Sequence, residues 1–462
     1  MKYSFVSHTD SSRLIIFFAG WGMDKNPFTG LALAGYDIVV IWDYTDECLD
    51  SEFWDNYSEI CIIGWSYGVY FAGRFIERYP CLPITARVAV NGTLLPIDKS
   101  KGISPDLFNA TLSAISEQSV LKFYRRMCGN SALFEKFLTV APERSVESVH
   151  SELASIRDTF HKFGSPISRW DIAYISENDR IFPANSQYEA WNGNVKVNNL
   201  NEGHLPDFEK IIKESLIHKN GVSDAFTRSI DTYGSNAPAQ LFAAEHLAEI
   251  IKTKEPFNGE VIEIGCGTGF LTGLIEPMLG KESTLTLIDV SPIKSDLPGK
   301  HIHSDAETFM FSLRDNSVSA IFSSSAIQWF NSPATFLHNA WRALIPGGVL
   351  AVSVYEDTTF SQIPELKSPS RIFSKQYLKS IVPQGFKLEL CDSLEYVQQF
   401  DSAAELLRHF RLTGVAPLEN SPESAVLARK ILRSNINTLS YNPIFLLLTK
   451  KKNCNFVEYL NQ

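Results

Sequence analysis

The chain has little of what would tie it to a metal, a membrane or a nucleic acid. Its 462 residues include only seven cysteines, scattered, with no Cys-x-x-Cys pair and no His–Cys spacing. That usage speaks against a disulfide framework and a zinc site and fits reduced cytosolic thiols. No apolar run reaches the length needed to cross a bilayer. The start, "MKYSFVSHTDSSR", turns polar too soon for a signal peptide. A cytoplasmic protein without membrane contact is expected. Positive charge is in deficit, with 42 Lys and Arg against 52 Asp and Glu, a net −10. Both halves are acidic, which argues against a nucleic-acid binder that works by bulk attraction. There is no internal repeat and no low-complexity tract. The remainder, 44% hydrophobic and 20% charged, suits soluble globular domains, and the length exceeds one core, so two or three domains are expected.

The first 215 or so residues alternate strand-like apolar runs with amphipathic stretches. "RLIIFFAGWG", "YDIVVIWDY", "EICIIGWS", "ARVAVNGT", "WDIAYISEND" and "VKVNNLNEGH" read as strands. The alternation predicts an α/β domain over 1–218, a parallel sheet with helices on both faces. Between about 93 and 163 the strands stop and the period becomes helical, as expected of a helical lid. "IHKNGVSDAF" reads as a short linker.

Within this half, "IIGWSYGV" places Ser66 between Gly64 and Gly68, after an apolar strand and before a helix-like stretch. Strand, Gly-x-Ser-x-Gly turn and helix make up a nucleophile elbow, which aims a serine hydroxyl out of the sheet. Such a serine needs a base within hydrogen-bond reach and a carboxylate to orient that base. Asp179 in "AYISENDRIFP" and His204 in "NNLNEGHLPDF" follow later strands in the required chain order. An oxyanion hole needs two backbone N–H donors. Tyr67, directly after Ser66, supplies one, and Trp21, between Gly20 and Gly22 in "FFAGWG", supplies the other.

Taken together, "FFAGWGMD", "GWSYGVYFA", the Asp179 loop and "EGHLPDF" resemble the small α/β-hydrolases of the BioG type. The resemblance covers roughly residues 1–215. It implies a serine esterase that removes the methyl ester of pimeloyl-acyl-carrier protein in biotin synthesis.

The second half, 222–462, opens a new βα series near Glu260, with "GEVIEIGCGTG", "STLTLIDVS", "SVSAIFSSS" and "GGVLAVSVY" as strands and "NPIFLLLTKKK" as a closing strand. Glu263 precedes a loop with Gly265, Gly267 and Gly269, where bare backbone permits close approach of a ligand to a helix N-terminus. The spacing is not that of a dinucleotide site. Asp289 ends the next strand, where a carboxylate can accept from ribose hydroxyls. Asp305 and Glu307 follow a third strand, near an adenine edge. With "ALIPGGVLAV", these segments resemble class I (Rossmann-like) methyltransferases that use S-adenosylmethionine.

"FTRSIDTYGSNAPAQLFAAEHL" and "SSSAIQWF" narrow the resemblance, over about 222–450, to the BioC-type malonyl-acyl-carrier-protein O-methyltransferases. This implies one N-terminal helix, carrying Tyr233 and Gln240, that covers the cofactor, and Gln328 and Trp329 near the transferred methyl. The segment from about 358 to 420 is short and diverged relative to that family's substrate lid. The implied whole is a bifunctional enzyme that methylates malonyl-acyl-carrier protein and hydrolyses methyl-pimeloyl-acyl-carrier protein, with no metal. Alternatives are an unrelated esterase joined to a small-molecule methyltransferase, or a hydrolase-like docking module on a methyltransferase. Because acyl-carrier proteins are acidic, Lys122, Arg125 and Arg126 in "KFYRRM" are candidates for docking.

Overall fold

The structure, a computed structural model, describes residues 1–49, 52–193, 195–217, 219–366, 373–413, 422–434 and 436–452. The chain divides into two compact units, Met1–Leu216 and Ile217–Gln462. Parts of the 358–420 segment, residues 367–372 and 414–420, lie outside the described residues.

Unit one is built on seven strands: β1 (Lys2–Ser7), β2 (Arg13–Phe18), β3 (Asp37–Trp42), β4 (Glu59–Trp65), β5 (Ile84–Val90), β6 (Ile172–Ser176) and β7 (Lys196–Leu200). They lie in the order β1-β3-β2-β4-β5-β6-β7. All neighbours are parallel except β1, which runs antiparallel to β3. The sequence reading missed β1 and expected an all-parallel sheet. "KYSFVS" is an edge strand with no fully buried residue, so it lacks the apolar run by which the interior strands are read. Residues along β2 alternate between two cores: Leu14, Ile16 and Phe18 on one face of the sheet, Ile15 and Phe17 on the other. Covering both faces is what makes these strands read as continuous apolar runs.

The helices of this unit are α1 (Gly68–Arg78), α2 (Pro105–Ser113), α3 (Glu117–Cys128), α4 (Ser131–Leu138), α5 (Val146–Phe163), α6 (Ala184–Trp191) and α7 (Phe208–Ser215). The four from α2 to α5 fall in succession between β5 and β6. Their starts are capped by Ser104, Ser116, Asn130 and Ser145, each side chain accepting a backbone N–H of the first turn.

Unit two opens with α8 (Lys219–Asn236) and α9 (Pro238–Lys252). From Lys219 on the expected linker is therefore helix, and the expected single cofactor-covering helix is two, with Tyr233 on α8 and Gln240 on α9. Pro238 sets the break: it has no N–H to continue α8, and it drives Ala237 to φ −114°, ψ 53°. There follow β8 (Glu260–Ile264), α10 (Phe270–Ile275), β9 (Thr284–Asp289), β10 (Lys300–His303), α11 (Ala306–Ser312), β11 (Val318–Ser324), α12 (Pro333–Ala343) and β12 (Leu344–Tyr355). The rest is α13 (Lys375–Ser380), β13 (Phe386–Ser393), β14 (Tyr396–Gln399), α14 (Ala403–Thr413), α15 (Pro422–Arg433), β15 (Thr438–Tyr441) and β16 (Pro443–Lys450). The main sheet runs β10-β9-β8-β11-β12-β16-β13, with β14 and β15 as a separate pair. Strand β16 is antiparallel to both its neighbours. Two apolar layers again cover the sheet, with Ile262 and Ile264 in one and Val261 in the other.

Candidate active sites

The tight turn after β4 is where sequence and backbone geometry meet. Ser66 sits at φ +58°, a conformation a non-glycine residue holds only when its surroundings enforce it. Its N–H donates to Val90 O (2.9 Å) and its carbonyl accepts from Val69 N (3.1 Å). A Cβ at Gly68 would lie 2.2 Å from Phe18 O, and one at Gly64 would lie 2.6 Å from Val69 Cα. Both glycines are thus required by the close approach of α1 to the sheet.

The structure brings Ser66, His204 and Asp179 together. His204 Nε2 lies 3.0 Å from Ser66 Oγ, and His204 Nδ1 lies 2.7 Å from Asp179 Oδ2. Asp179 Oδ1 accepts the backbone N–H of Ile181 and Phe182, so the loop after β6 holds one carboxylate oxygen while the other faces the histidine. Sequence reading missed the residues that hold the histidine loop. Asn91 Nδ2 and Trp65 Nε1 both donate to His204 O, at 3.0 and 2.9 Å. Asn91 also exchanges hydrogen bonds with Ser176, and Gln187 Nε2 lies 3.4 Å from Asp179 Oδ2. The only hint was "VNGT" at a strand end, which marks a turn and not a support.

The loop after β2 lies against this elbow, since a Cβ at Gly20 would be 3.3 Å from Ser66 Cβ. Among the described residues the backbone N–H groups of Trp21 and Tyr67 have no hydrogen-bond acceptor, in contrast to those of Ala19, Gly22 and Met23. The inserted helices close over the site. Phe108 of α2 meets Tyr67 edge-on at 6.0 Å, and Phe123 of α3 meets Trp21 at 4.9 Å. Ser66 is only 3% exposed and His204 1%. Lys122, Arg125 and Arg126 are exposed on α3, with Arg125 over the Phe134 ring.

In unit two the glycine loop joins β8 to α10 and lines a pocket with Asp289, Asp305, Tyr233, Gln240 and Trp329. Gly265, Gly267 and Gly269 all have positive φ. Gly265 N donates to Ile288 O (2.8 Å), and Gly267 N to Asp289 Oδ2 (2.9 Å). Asp289 Oδ1 accepts Ser291 N. This carboxylate therefore ties the loop to β9 while facing the cavity. Burial raises its carboxyl above the ordinary range despite those donors. Glu263 also lines the pocket, accepts from Thr272 Oγ1 at 2.7 Å, and is pushed up to about 8, chiefly by burial. Asp305 caps α11 through Glu307 N, and its Oδ2 lies 3.4 Å from Lys219 Nζ.

Two expected site residues do not line the pocket. Glu307 points into the fold, where Asn331 N and Ser332 N (2.8 Å each) and Lys219 Nζ (2.7 Å) occupy its carboxylate. Gln328 is turned back on its own loop, donating to Ser325 O. Conversely, Lys219, at the start of α8, lines the cavity, and nothing in the expected linker announced it.

The pocket fits a ligand with polar and apolar parts. A Cβ at Gly267 would meet nothing within 4 Å, so the loop crest is an open cradle. The buried Thr268 Oγ1 has no hydrogen-bond partner. The Gln240 amide, buried beside the Tyr355 hydroxyl, makes no hydrogen bond of regular geometry. Phe226, Ile230, Ala244, Leu271 and Ile288 supply apolar walls. Among the described residues there is no cluster of His, Cys, Asp and Glu able to hold a metal, and no helix long and apolar enough to cross a membrane.

Residues 1–214 match the family "Pimeloyl-ACP methyl esterase BioG", and residues 262–352 match "Methyltransferase domain". A malonyl-[acyl-carrier protein] O-methyltransferase of Bacteroides fragilis is 29% identical, over 95% of this chain and 93% of its own. One from Haemophilus ducreyi is 31% identical over 44% of this chain and 83% of its own. The crystal structure of BioG from Haemophilus influenzae is 31% identical, covering 44% of this chain and 94% of that one, with a TM-score of 0.42.

Proposed function

Because the chain belongs to the malonyl-[acyl-carrier protein] O-methyltransferase family and joins a BioG domain to it, we propose that this bifunctional biotin-synthesis enzyme methylates the free carboxylate of malonyl-acyl-carrier protein and hydrolyses the methyl ester of pimeloyl-acyl-carrier protein. On this reading residues 1–218 form an α/β-hydrolase whose lid is the helical insertion, and 222–462 form the methyltransferase. The observation that carries it is a complete hydrogen-bonded Ser66–His204–Asp179 chain in one unit of a protein whose other unit has a glycine-loop pocket.

In the esterase, Ser66 Oγ attacks the ester carbonyl as His204 Nε2 takes its proton. Asp179, acceptor for Nδ1, holds the ring in the tautomer that leaves Nε2 basic. The developing oxyanion accepts from Trp21 N–H and Tyr67 N–H, each worth roughly 3–4 kcal/mol at the transition state. His204 then returns the proton to the leaving methanol, and water releases the free carboxylate by the reverse route. Since Ser66 is only 3% exposed, entry of an acyl chain requires the groups around it to open.

In the methyltransferase, S-adenosylmethionine when bound supplies an electrophilic methyl group. The glycine loop, Asp289 and Asp305 would hold it, with Tyr233, Gln240 and Trp329 toward the methyl. The apolar walls exclude water, so the incoming carboxylate, already ionised and nucleophilic, is stripped of competing solvent. Positioning then does most of the catalysis. The two activities serve one end. A free carboxylate is costly to place in an apolar acyl channel, and methylation hides it until chain extension is done. The acidic carrier would meet the exposed Lys122, Arg125 and Arg126.

The test is to incubate the protein with malonyl- and methyl-pimeloyl-carrier, with and without S-adenosylmethionine, and to weigh the products. Malonyl-carrier should gain one methyl only with the cofactor, and methyl-pimeloyl-carrier should lose one without it. Cleavage of simple esters alone, with methylation confined to small molecules, would favour the unrelated pairing and reject this reading.

A further inference from the structure

We infer that Glu152, on α5 of the inserted helices, is a positioning residue for the oxyanion loop of the esterase. Its side chain is fully buried, and burying a carboxylate is unfavourable unless its oxygens are well occupied. They are. Oε2 accepts Gly22 N at 3.0 Å and Arg144 Nη1 at 2.8 Å, and Oε1 accepts Tyr44 N at 3.1 Å. One carboxylate from the insertion thus bridges two loops at the carboxyl ends of neighbouring strands, β2 and β3.

The oxyanion loop is fastened to the insertion at four further points, one of them Glu143 N donating to Asp24 Oδ2 at 2.7 Å. Trp21 Nε1 donates to Val149 O, one turn before Glu152 on the same helix, at 2.8 Å. Arg144 Nη1 donates to Met23 O at 3.1 Å, and Tyr124 OH donates to Gly22 O at 3.4 Å. The charges around Glu152 alternate: Arg144 Nη2 reaches Asp43 (3.2 Å), and Asp43 reaches Lys2 (2.9 Å). Glu152 and Val149 therefore hold Trp21 from both sides, by its indole and by the peptide that follows it. Gly22, at φ +75°, has no Cβ to limit its backbone, so these contacts must set it. Gly22 N–H is committed to Glu152, whereas the Trp21 N–H beside it has no acceptor among the described residues and is available to the oxyanion. The inference rests on the esterase reading of unit one. It adds that the insertion completes the hole as well as covering it.

Glu152→Gln keeps the shape, but its amide NH2 must face the Gly22 N–H, the Tyr44 N–H or Arg144, donor against donor. The full-length variant should lose roughly 10- to 100-fold in kcat for a short p-nitrophenyl ester, less than the roughly 100- to 1,000-fold of removing an oxyanion donor outright because the Trp21 N–H is misplaced and not deleted, with KM little changed. Its affinity for an alkyl boronic acid, whose serine adduct carries the tetrahedral oxygen, should fall by a similar factor. Asp43→Asn leaves every contact to the loop in place and should lower the melting temperature without changing boronate affinity. If folded Glu152→Gln binds the boronate and turns over ester like the parent, Glu152 merely supports the fold and the inference is wrong. Should Glu152→Gln not fold, Glu152→Asp keeps the charge for Arg144 but draws the carboxylate back from the Gly22 and Tyr44 N–H groups, and it must show the same kcat-only loss; unchanged kcat there overturns the inference as well. A parent protein that cleaves no ester at all would instead reject the esterase reading.

Discussion

Ser66 holds a left-handed backbone because the glycines beside it let α1 press on the β2 strand end. Its chemistry depends on atoms delivered from far along the chain. Replacing Ser66 by Ala should abolish ester cleavage. Asp179→Asn should lower kcat by about 10⁴-fold through loss of the correct His204 tautomer, with the fold retained by circular dichroism. The glycine loop of unit two divides differently from its reading in sequence, which treats all three glycines alike. A Cβ at Gly265 would lie 2.3 Å from Ala326 Cβ, whereas one at Gly267 would meet open space. Gly265→Ala should therefore lower the melting temperature even without ligand. Gly267→Ala should cost only about 1 kcal/mol of stability for its positive φ, yet weaken S-adenosylmethionine binding by calorimetry, because its methyl enters the cradle. Equal effects of the two substitutions would contradict this division.

At the scale of elements, unit one is a sheet, parallel but for β1, whose strand ends carry Ser66, Asp179 and His204, with helices inserted between β5 and β6; the proposed esterase chemistry draws on both. In unit two, α14 packs on β15 through a buried pair, His409 Nε2 and Tyr441 OH at 2.7 Å. Burial lowers the His409 pKa to about 4. The folded state thus disfavours the charged ring. Stability from this group is complete above about pH 6.5, the unfolded value, and is lost as pH falls from there toward 4, by at most about 3 kcal/mol. Denaturant unfolding should show that slope in the parent. His409→Gln should flatten it, whatever its effect at pH 7.5.

For the whole molecule, each unit has its own two-faced core and its own site, so damage should stay local. Ser66→Ala should leave malonyl methylation near normal while methyl-pimeloyl-carrier persists. A Gly267 variant that no longer binds S-adenosylmethionine should still cleave esters. Both activities measured on each purified full-length variant, beside a thermal melt, check this. Loss of ester cleavage in a folded Gly267 variant would mean that the two sites are coupled.

The hydrogen-bonded trio Ser66, His204 and Asp179, proposed for catalysis, was legible in sequence because reactive geometry demands particular types at particular turns. Gly64, Ser66 and Gly68 mark a sharp strand-to-helix turn, and alternating apolar runs mark strands covered on both faces. Also legible were Asp179 and His204, since chain order along a parallel sheet places successive loops at one edge. Tertiary structure alone decided what depends on contacts between distant segments. An edge strand such as β1 has too little burial to leave a pattern. Glu307 looks like a ligand in a strand-end loop, yet three donors from residues 219, 331 and 332 draw it inward. Glu152 reads as an ordinary helix-surface charge until the fold sets Gly22, Tyr44 and Arg144 around it. Hydrogen-bond partners more than a hundred residues apart leave no local signal, and here they fasten the loop that carries Trp21.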